Sequence, residues 1–324
     1  MICLDAYKNL NILNQQGQLA IGPCCISPAT PVKEIDFYNN NFLKSIRASW
    51  DNHTFPPACK NCKQAEERGN SSRRLDIQQW YDDHGHNNKD VSLVKIDYWT
   101  GNTCNLRCVI CGPTNSSGWE SELGIPNYKQ IVNSNWKSLD LGQIEHIHFN
   151  GGEPLLSKEH ISLLEAVPNK SKVELNYNTN ATIRPSQYLQ DLWAQFKNVK
   201  LDFSIDDIGH RFEYQRYPAK WDEVTANLKW FVDTMPVNCL FGVNTTVSVL
   251  NQPYLDELDA WLAVNFAKNR LGDSITYNKQ AAQGLFSTDN LQINADKILS
   301  FVNDCDTRRG TNWRSVFPDL FKSI

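Results

Sequence analysis

Cys104, Cys108 and Cys111 fall within one short stretch, Cys104-Asn-Leu-Arg-Cys108-Val-Ile-Cys111, the densest gathering of metal-binding side chains in the chain. Three thiolates so close can wrap one corner of a cubane iron–sulfur cluster, and they leave one iron without a protein ligand. An iron with an open position is a place for chemistry. A structural zinc site would need a fourth ligand, and none lies near this stretch. Buried unpaired cysteines are the other reading, and three of them in one loop argue against it.

A second set stands nearer the amino terminus: Cys3, the pair Cys24-Cys25, and Cys59-Lys-Asn-Cys62. A Cys-x2-Cys pair with two further thiols can close a four-thiolate site, either an iron–sulfur cluster or a zinc ribbon-like centre. Adjacent side chains of an extended segment point to opposite faces, so Cys24 and Cys25 cannot both face one centre. Pro23 with Gly22 reads as a turn that presents Cys24 inward, with Cys25 as the alternative. Cys239 and Cys305 stand alone, and Cys239 reads as a small buried hydrophobe.

The elements that must position these groups are legible as alternation. Short β-branched or aromatic runs alternate with amphipathic stretches, the pattern of repeated βα units around a parallel sheet. The strands are expected at Leu93 to Trp99, Ile144 to Phe149, Val173 to Tyr177, Val199 to Ile205, Leu240 to Val249 and Ser274 to Asn278. The helices are expected at Lys158 to Val167, Pro185 to Phe196, Trp221 to Met235, Pro253 to Phe266 and Asn294 to Asp304, with Pro185 and Pro253 in first turns. Six strands suggest an open barrel. Cys111 to Gly142 is expected to hold a helix and a loop, and Val316 to Phe321 to pack beneath the barrel. Tyr81 to Ser92 is polar, turn-forming and aperiodic, so a boundary is placed there, with a cysteine-rich module over residues 1–85 and the barrel over 86–324.

Composition narrows the class. Charged residues are 21% of the 324, hydrophobic residues 41%, and the net charge is −4, a balance typical of globular proteins. No stretch gathers Lys or Arg as a nucleic-acid footprint would, so a nucleic-acid partner is disfavoured. Met1 to Asn9 lacks the apolar run of a signal peptide, and no window approaches the ~18 apolar residues of a membrane helix. A cytoplasmic protein with no membrane partner is expected, and clustered cysteines there are ligands or redox groups.

Cys-x3-Cys-x2-Cys after the first barrel strand resembles the signature of the radical S-adenosylmethionine (radical SAM) superfamily, and further positions fall in order. Gly151-Gly152-Glu153-Pro154 after the second strand resembles the family's Gly-Gly-Glu-Pro motif, which meets the amino group of the SAM methionine. Thr179-Asn180 ends the third strand where the family often carries Thr-Asn-Gly, here with Ala181 in the glycine's place. Ser204-Ile-Asp206 ends the fourth strand like the family's Ser-x-Asp, whose serine contacts the ribose. Arg216 falls where relatives direct an arginine toward the SAM carboxylate, and Val247 where an apolar residue packs on adenine. Ile110 stands where the family usually has an aromatic residue.

The resemblance implies a partial (β/α)6 barrel whose reduced 4Fe–4S cluster donates an electron to SAM. The resulting 5′-deoxyadenosyl radical takes a hydrogen atom from the substrate, and a reductant such as flavodoxin or ferredoxin feeds the cluster. Cys3, Gly17, Pro23-Cys24-Cys25, Pro57, Cys59-Lys-Asn-Cys62, Glu66, Gly69, Ser71 and Arg73 resemble twitch, a truncated SPASM module, here ahead of the barrel instead of behind it. That likeness implies an auxiliary 4Fe–4S cluster on Cys3, Cys24, Cys59 and Cys62. By analogy with such relatives, the expected substrate is a peptide or amino-acid side chain in ribosomal peptide maturation. A small molecule such as a sugar, cyclitol or nucleoside is the alternative, and a non-catalytic metal-stabilised scaffold or redox sensor is the third reading. Asp202, Asp206 and Asp207 are candidate acids or bases near the radical, with a loop or helix-entry role expected for Asp207. His146 and His148 read as core or lumen histidines, and Tyr177 and Tyr214 as cavity-lining or core aromatics.

Overall fold

Alternation along the strands gives this chain a sheet with one apolar and one polar face. The computed structural model describes residues 2–15, 17–125, 134–267, 276–282, 284–288, 291–318 and 320. The amino-terminal part contains α1 (Asp5–Lys8), β1 (Asn9–Gln15), β2 (Gln18–Gly22), β3 (Thr30–Pro31), α2 (Asn41–Asp51), α3 (Lys60–Glu67) and α4 (Arg73–Asp83). The βα succession follows: β4 (Lys95–Trp99), α5 (Ser117–Leu123), β5 (His146–Asn150), α6 (Glu159–Ala166), β6 (Glu174–Thr179), α7 (Gln187–Trp193) and β7 (Asn198–Ser204). It continues through α8 (Gly209–Gln215), α9 (Trp221–Thr234), β8 (Cys239–Val247), α10 (Leu255–Asn265), β9 (Thr276–Ala281), α11 (Leu291–Arg309) and α12 (Trp313–Val316).

The strands form one sheet in the order β3-β2-β1-β4-β5-β6-β7-β8-β9. From β4 to β9 every neighbour is parallel, so this is an α/β fold around a parallel sheet. The outer face is apolar: Ile96, Tyr98, Ile147, Phe149, Leu175, Tyr177, Leu201 and Phe203 are fully buried in the main core. The inner face alternates with it and is polar, carrying Asp97, His148, Asn178, Asp202 and Asn244. Tyr177 accepts a hydrogen bond from Trp193 Nε1 and stacks on Phe149, so it is a core aromatic. Cys239 is a buried core residue as well.

The sheet runs unbroken across the expected boundary near residue 85. β1 pairs parallel with β4, Asn11 opposite Asp97, while β2 folds back antiparallel on β1. Gly17, with φ of 81°, makes the tight reversal that a side chain would disfavour. Below the sheet, α4 starts at the Ser72 cap and carries Trp80, whose indole N–H donates to Glu174 at 3.2 Å. Lys95 Nζ lies 3.9 Å from the same ring, so Trp80 covers the N-terminal ends of β4 and β6.

Local chemistry shifted several boundaries. Ser186 caps α7 by accepting from Leu189 N, which leaves Pro185 outside the helix. Pro253 sits in a 3-10 turn, Gln252–Tyr254, that leads into α10. The helix expected from Asn294 extends over Leu291–Arg309. Ser274, the expected start of the sixth barrel strand, lies outside the described residues, as does part of the Cys111 to Gly142 segment. The carboxy-terminal expectation is corrected: Phe317 packs with Tyr214, Tyr254 and Val109 in a second core cluster beside the cysteine loop, at the opposite end from Trp80. Asp319 and Phe321 lie outside the described residues. Among the described residues no helix is long and apolar enough to cross a membrane.

Sheet continuity predicts shared stability. Ile12 on β1 is fully buried in the main core, so Ile12→Ala should cost about 2–5 kcal/mol. Thermal unfolding followed by circular dichroism should shift as one transition, and a variant that melts residues 1–85 separately from the rest would contradict the shared sheet.

Candidate metal centres and cofactor site

The loops after the C-terminal ends of the parallel strands gather at one end of the sheet, where such folds build sites. The cysteine loop after β4 is fixed by backbone contacts rather than by its own regularity. Arg107 N donates to Tyr217 O at 2.7 Å and Val109 N to Gln215 O at 2.8 Å. Trp119 Nε1 donates to Cys108 O, and Ser116 Oγ to Leu106 O, so α5 holds the loop from the other side. Arg309 on α11 adds a bond to Arg107 O at 2.9 Å.

Gly151 and Gly152 lie directly against this loop. Their glycine character serves that contact: a Cβ at Gly152 would lie 2.3 Å from Thr103 O, and one at Gly151 would lie 2.6 Å from Gly101 O. Gly151 also has φ of 130°. Gly152 N and Glu153 N donate to Gly101 O and Thr103 O, which locks the two loops in register. Glu153 is buried, and its carboxylate accepts from Thr179 Oγ1 at 2.8 Å, Asn180 N at 2.7 Å and Leu155 N at 3.1 Å. Asn180 in turn donates to Asn105 Oδ1 at 3.0 Å and approaches Cys104 Sγ. Ala181, which follows Asn180, takes φ of 61°, a conformation that costs an L-residue roughly 1–2 kcal/mol.

The three thiols of the loop act on one another electrostatically, and burial pushes Cys104 and Cys111 up to about 12. Arg216 opposes that shift at all three cysteines. Its Nη2 lies 2.7 Å from Asp206 Oδ2, while its Nε is buried without a hydrogen-bond partner. An orphaned guanidinium N–H beside three thiols suits an anionic group. The donor set therefore fits a thiolate-bound cluster, and thiols so protected against ionisation must release their protons when a metal binds. Ser204 ends β7 on the lumen side and Val247 ends β8, both partly exposed at the same end of the sheet. Ile110 packs against the second core cluster.

The amino-terminal cysteines come together elsewhere. Cys3, Cys24, Cys59 and Cys62 line one cavity with Trp50, Arg73 and Arg74. Cys24 is buried there, whereas Cys25 is exposed and faces a separate cleft beside Trp99, Asn150 and Gly151. The turn is set by β1: Asn9 Nδ2 donates to Pro23 O and Asn11 Nδ2 to Cys24 O. Burial raises the Cys59 thiol to about 12, and the indole N–H of Trp50, buried and without another partner, acts on it in the opposite sense. An unpaired donor aimed at a thiol is what a cluster sulfur would accept, so these residues too fit an iron–sulfur group. Among the described residues, no three His, Cys, Asp or Glu side chains stand close enough to hold a single metal ion. A cluster holds its thiolates wider apart, around several irons.

The acids expected near the radical divide. Asp206 is tied to Arg216 and accepts from Thr246 N at 2.8 Å. Asp207, raised by burial to about 6, accepts from Ile208 N and Arg211 Nε at the entry to α8. Asp202 faces Lys200 at 3.2 Å. Tyr214 packs on Phe317 and donates to Val302 O, so it is core. Sequence reasoning missed the polar rungs around His148 and the loop contacts of Trp119 and Arg309. Polar residues at every second position of β4, β5 and β6 signalled the rungs, whereas nothing local signalled contacts spanning the chain.

A family model described as a 4Fe-4S single cluster domain matches residues 94–200, which include Cys104, Cys108, Cys111, Glu153 and Asn180. An uncharacterized protein of Methanocaldococcus jannaschii is 27% identical over 168 residues, 50% of this chain and 55% of that protein. GTP 3′,8-cyclase of Haemophilus influenzae is 28% identical over 115 residues, 35% of this chain and 33% of that enzyme. The match thus spans between a third and about half of these relatives' lengths. Streptococcus suis SuiB bound to S-adenosylmethionine aligns over 97% of this chain and 74% of that one, at 15% identity and a TM-score of 0.41.

Glu153 gives the site a pH signature. Burial raises its carboxyl from the ordinary 4.5 to about 7 despite three hydrogen bonds. The folded state therefore holds more protons than the unfolded state between those values, and stability falls as pH rises through that window, by on the order of 3 kcal/mol. Glu153→Gln should flatten this part of the stability–pH curve, measured by urea unfolding without added cofactor. An unchanged slope would contradict a raised Glu153.

Proposed function

We propose that this protein is a radical SAM enzyme with one auxiliary iron–sulfur cluster. The observation that carries the reading is the loop of Cys104, Cys108 and Cys111 docked against Gly151, Gly152 and Glu153, with the free N–H of buried Arg216 beside the thiols. The cluster, when bound, would supply an electron that cleaves SAM to methionine and a 5′-deoxyadenosyl radical able to take a hydrogen atom. The protein's own share is placement. Glu153 offers its carboxylate to the SAM ammonium and Arg216 its guanidinium to the SAM carboxylate, both charge-assisted contacts. Asn180 steadies the loop, Ser204 meets the ribose, and Val247 offers an apolar wall to adenine.

For the substrate, a peptide or amino-acid side chain is our first reading. The lumen carries the amides of Asn178, Asn244 and Asn278, bonded to one another, and among its charged groups Lys200 is matched by Asp202 and Arg216 by Asp206. Such a face suits an uncharged hydrogen-bonding group better than a triphosphate. A nucleotide is the second reading, favoured by the GTP 3′,8-cyclase relatives. A low-potential flavodoxin or ferredoxin would serve as reductant.

Protein reconstituted without oxygen should carry about eight irons and produce 5′-deoxyadenosine from SAM under reduction. Replacing Cys104, Cys108 and Cys111 together by Ala should remove about half of the iron and all of that product. Iron with no deoxyadenosine would support a scaffold instead. In the same triple variant, Cys24→Ser should abolish the remaining electron paramagnetic resonance signal and Cys25→Ser should keep it. The reverse outcome would move the ligand to Cys25.

A further inference from the structure

One chain of polar side chains crosses the inner face of the sheet and ends at the amino-terminal cysteine cavity. Asn278 Nδ2 donates to Asn244 Oδ1 at 3.1 Å, Asn244 Nδ2 to Asn178 Oδ1 at 3.0 Å, and Asn178 Nδ2 meets His148 Nε2 at 2.9 Å. His148 Nδ1 lies 3.2 Å from Asp97 Oδ1, and Asp97 Oδ2 accepts from Asn9 Nδ2 at 2.9 Å and from Arg73 Nη2 at 3.2 Å. Arg73 lines the cavity of Cys3, Cys24, Cys59 and Cys62. An amide N–H can only donate, so Nε2 is assigned as the acceptor from Asn178, and the imidazole proton is assigned to Nδ1, facing the carboxylate.

We propose that His148 takes up a proton when the amino-terminal cysteine centre takes up an electron, the two events being joined through Asp97 and Arg73. The proposal rests on the auxiliary-cluster reading. A reduced four-thiolate cluster carries one more negative charge than an oxidised one, and it draws on the Arg73 guanidinium that otherwise serves Asp97. Asp97 is then left with more unbalanced charge, which favours imidazolium at its other oxygen. One electron enters the cluster from a low-potential flavodoxin or ferredoxin, and one proton from the bulk solvent binds Nε2. No other bond changes, and oxidation reverses both steps. Protonated Nε2 becomes a donor, so Asn178 must turn its oxygen toward it, and Asn244 and Asn278 must follow. The state of the buried centre would thereby be read at Asn278, which is exposed on β9.

Other charged groups near His148 have separate signatures. Asp97 is held well below the usual carboxylate range, because Arg73, His148 and Lys95 outweigh its burial. His146, its neighbour on β5, is driven well below the ordinary value by burial and Lys95, so it stays neutral. Lys95 on β4 is lowered by burial to about 8, and Asp5 on α1 shares Arg73 at 3.1 Å.

The test uses the full chain with Cys104, Cys108 and Cys111 replaced by Ala, reconstituted with iron and sulfide so that one centre is read. Its midpoint potential, from redox titration followed by electron paramagnetic resonance, should fall over one segment as pH rises. His148→Gln should make that segment flat while keeping any change that Lys95 produces near 8. Asn178→Leu, which removes the donor to Nε2, should move the segment to higher pH. A flat potential in the parent protein, or profiles unchanged in both variants, would overturn the coupling alone. Protein that binds no second cluster would overturn the coupling and the auxiliary-cluster reading together.

Discussion

The contact between residues 101–103 and Gly151-Gly152 is the constraint on which the rest of the site depends. A methyl group at Gly152 would sit 2.3 Å from the Thr103 carbonyl oxygen, a distance no packing rearrangement of a side chain can relieve. Because the loops meet backbone to backbone, the turn carrying three thiols takes its position from the end of β5. Glu153 then carries that position to the end of β6 through Thr179 and Asn180. The cysteines are placed by the sheet, with one residue of each neighbouring strand end serving as a link.

The amino-terminal part is joined to this framework more closely than its composition suggests. β1 lies beside β4, and its Asn9 and Asn11 reach across to hold the turn of Cys24 while their backbone extends the sheet. α4 contributes in two directions, with Trp80 under the strands and Arg73 between Asp5 and Asp97. Buried charges of this kind add little net stability but are costly to break once formed. Their value here is geometric, because they fix the cysteine cavity against the polar face of the sheet.

How much of this was legible follows the range of each interaction. β4 to β8 could be read because every second residue is apolar, as in Lys-Ile-Asp-Tyr-Trp and His-Ile-His-Phe-Asn, and a two-residue period needs no partner to be seen. The cysteine loop and Gly-Gly-Glu-Pro were legible as contiguous motifs. β1 and β2 were not read as part of the sheet, since the pairing of Asn9 with Lys95 spans most of the amino-terminal part and leaves no local trace. The same holds for Arg309 on Arg107 and for Phe317 on Tyr214, contacts set by how the last helices return to the cysteine loop. The split between Cys24 and Cys25 was anticipated from the opposed faces of an extended pair. Its cause, the two asparagines of β1, was not.

The proposed function requires two iron–sulfur centres of different character, one with an iron open to SAM and one closed by four thiolates. Mössbauer spectroscopy of iron-57 protein, reconstituted without oxygen and measured with and without SAM, tests it most directly. Two cubane signals of equal weight are expected, with SAM shifting one iron site of one cluster and leaving the other cluster unchanged. A single cubane accompanied by stoichiometric zinc, or two clusters that both ignore SAM, would contradict it.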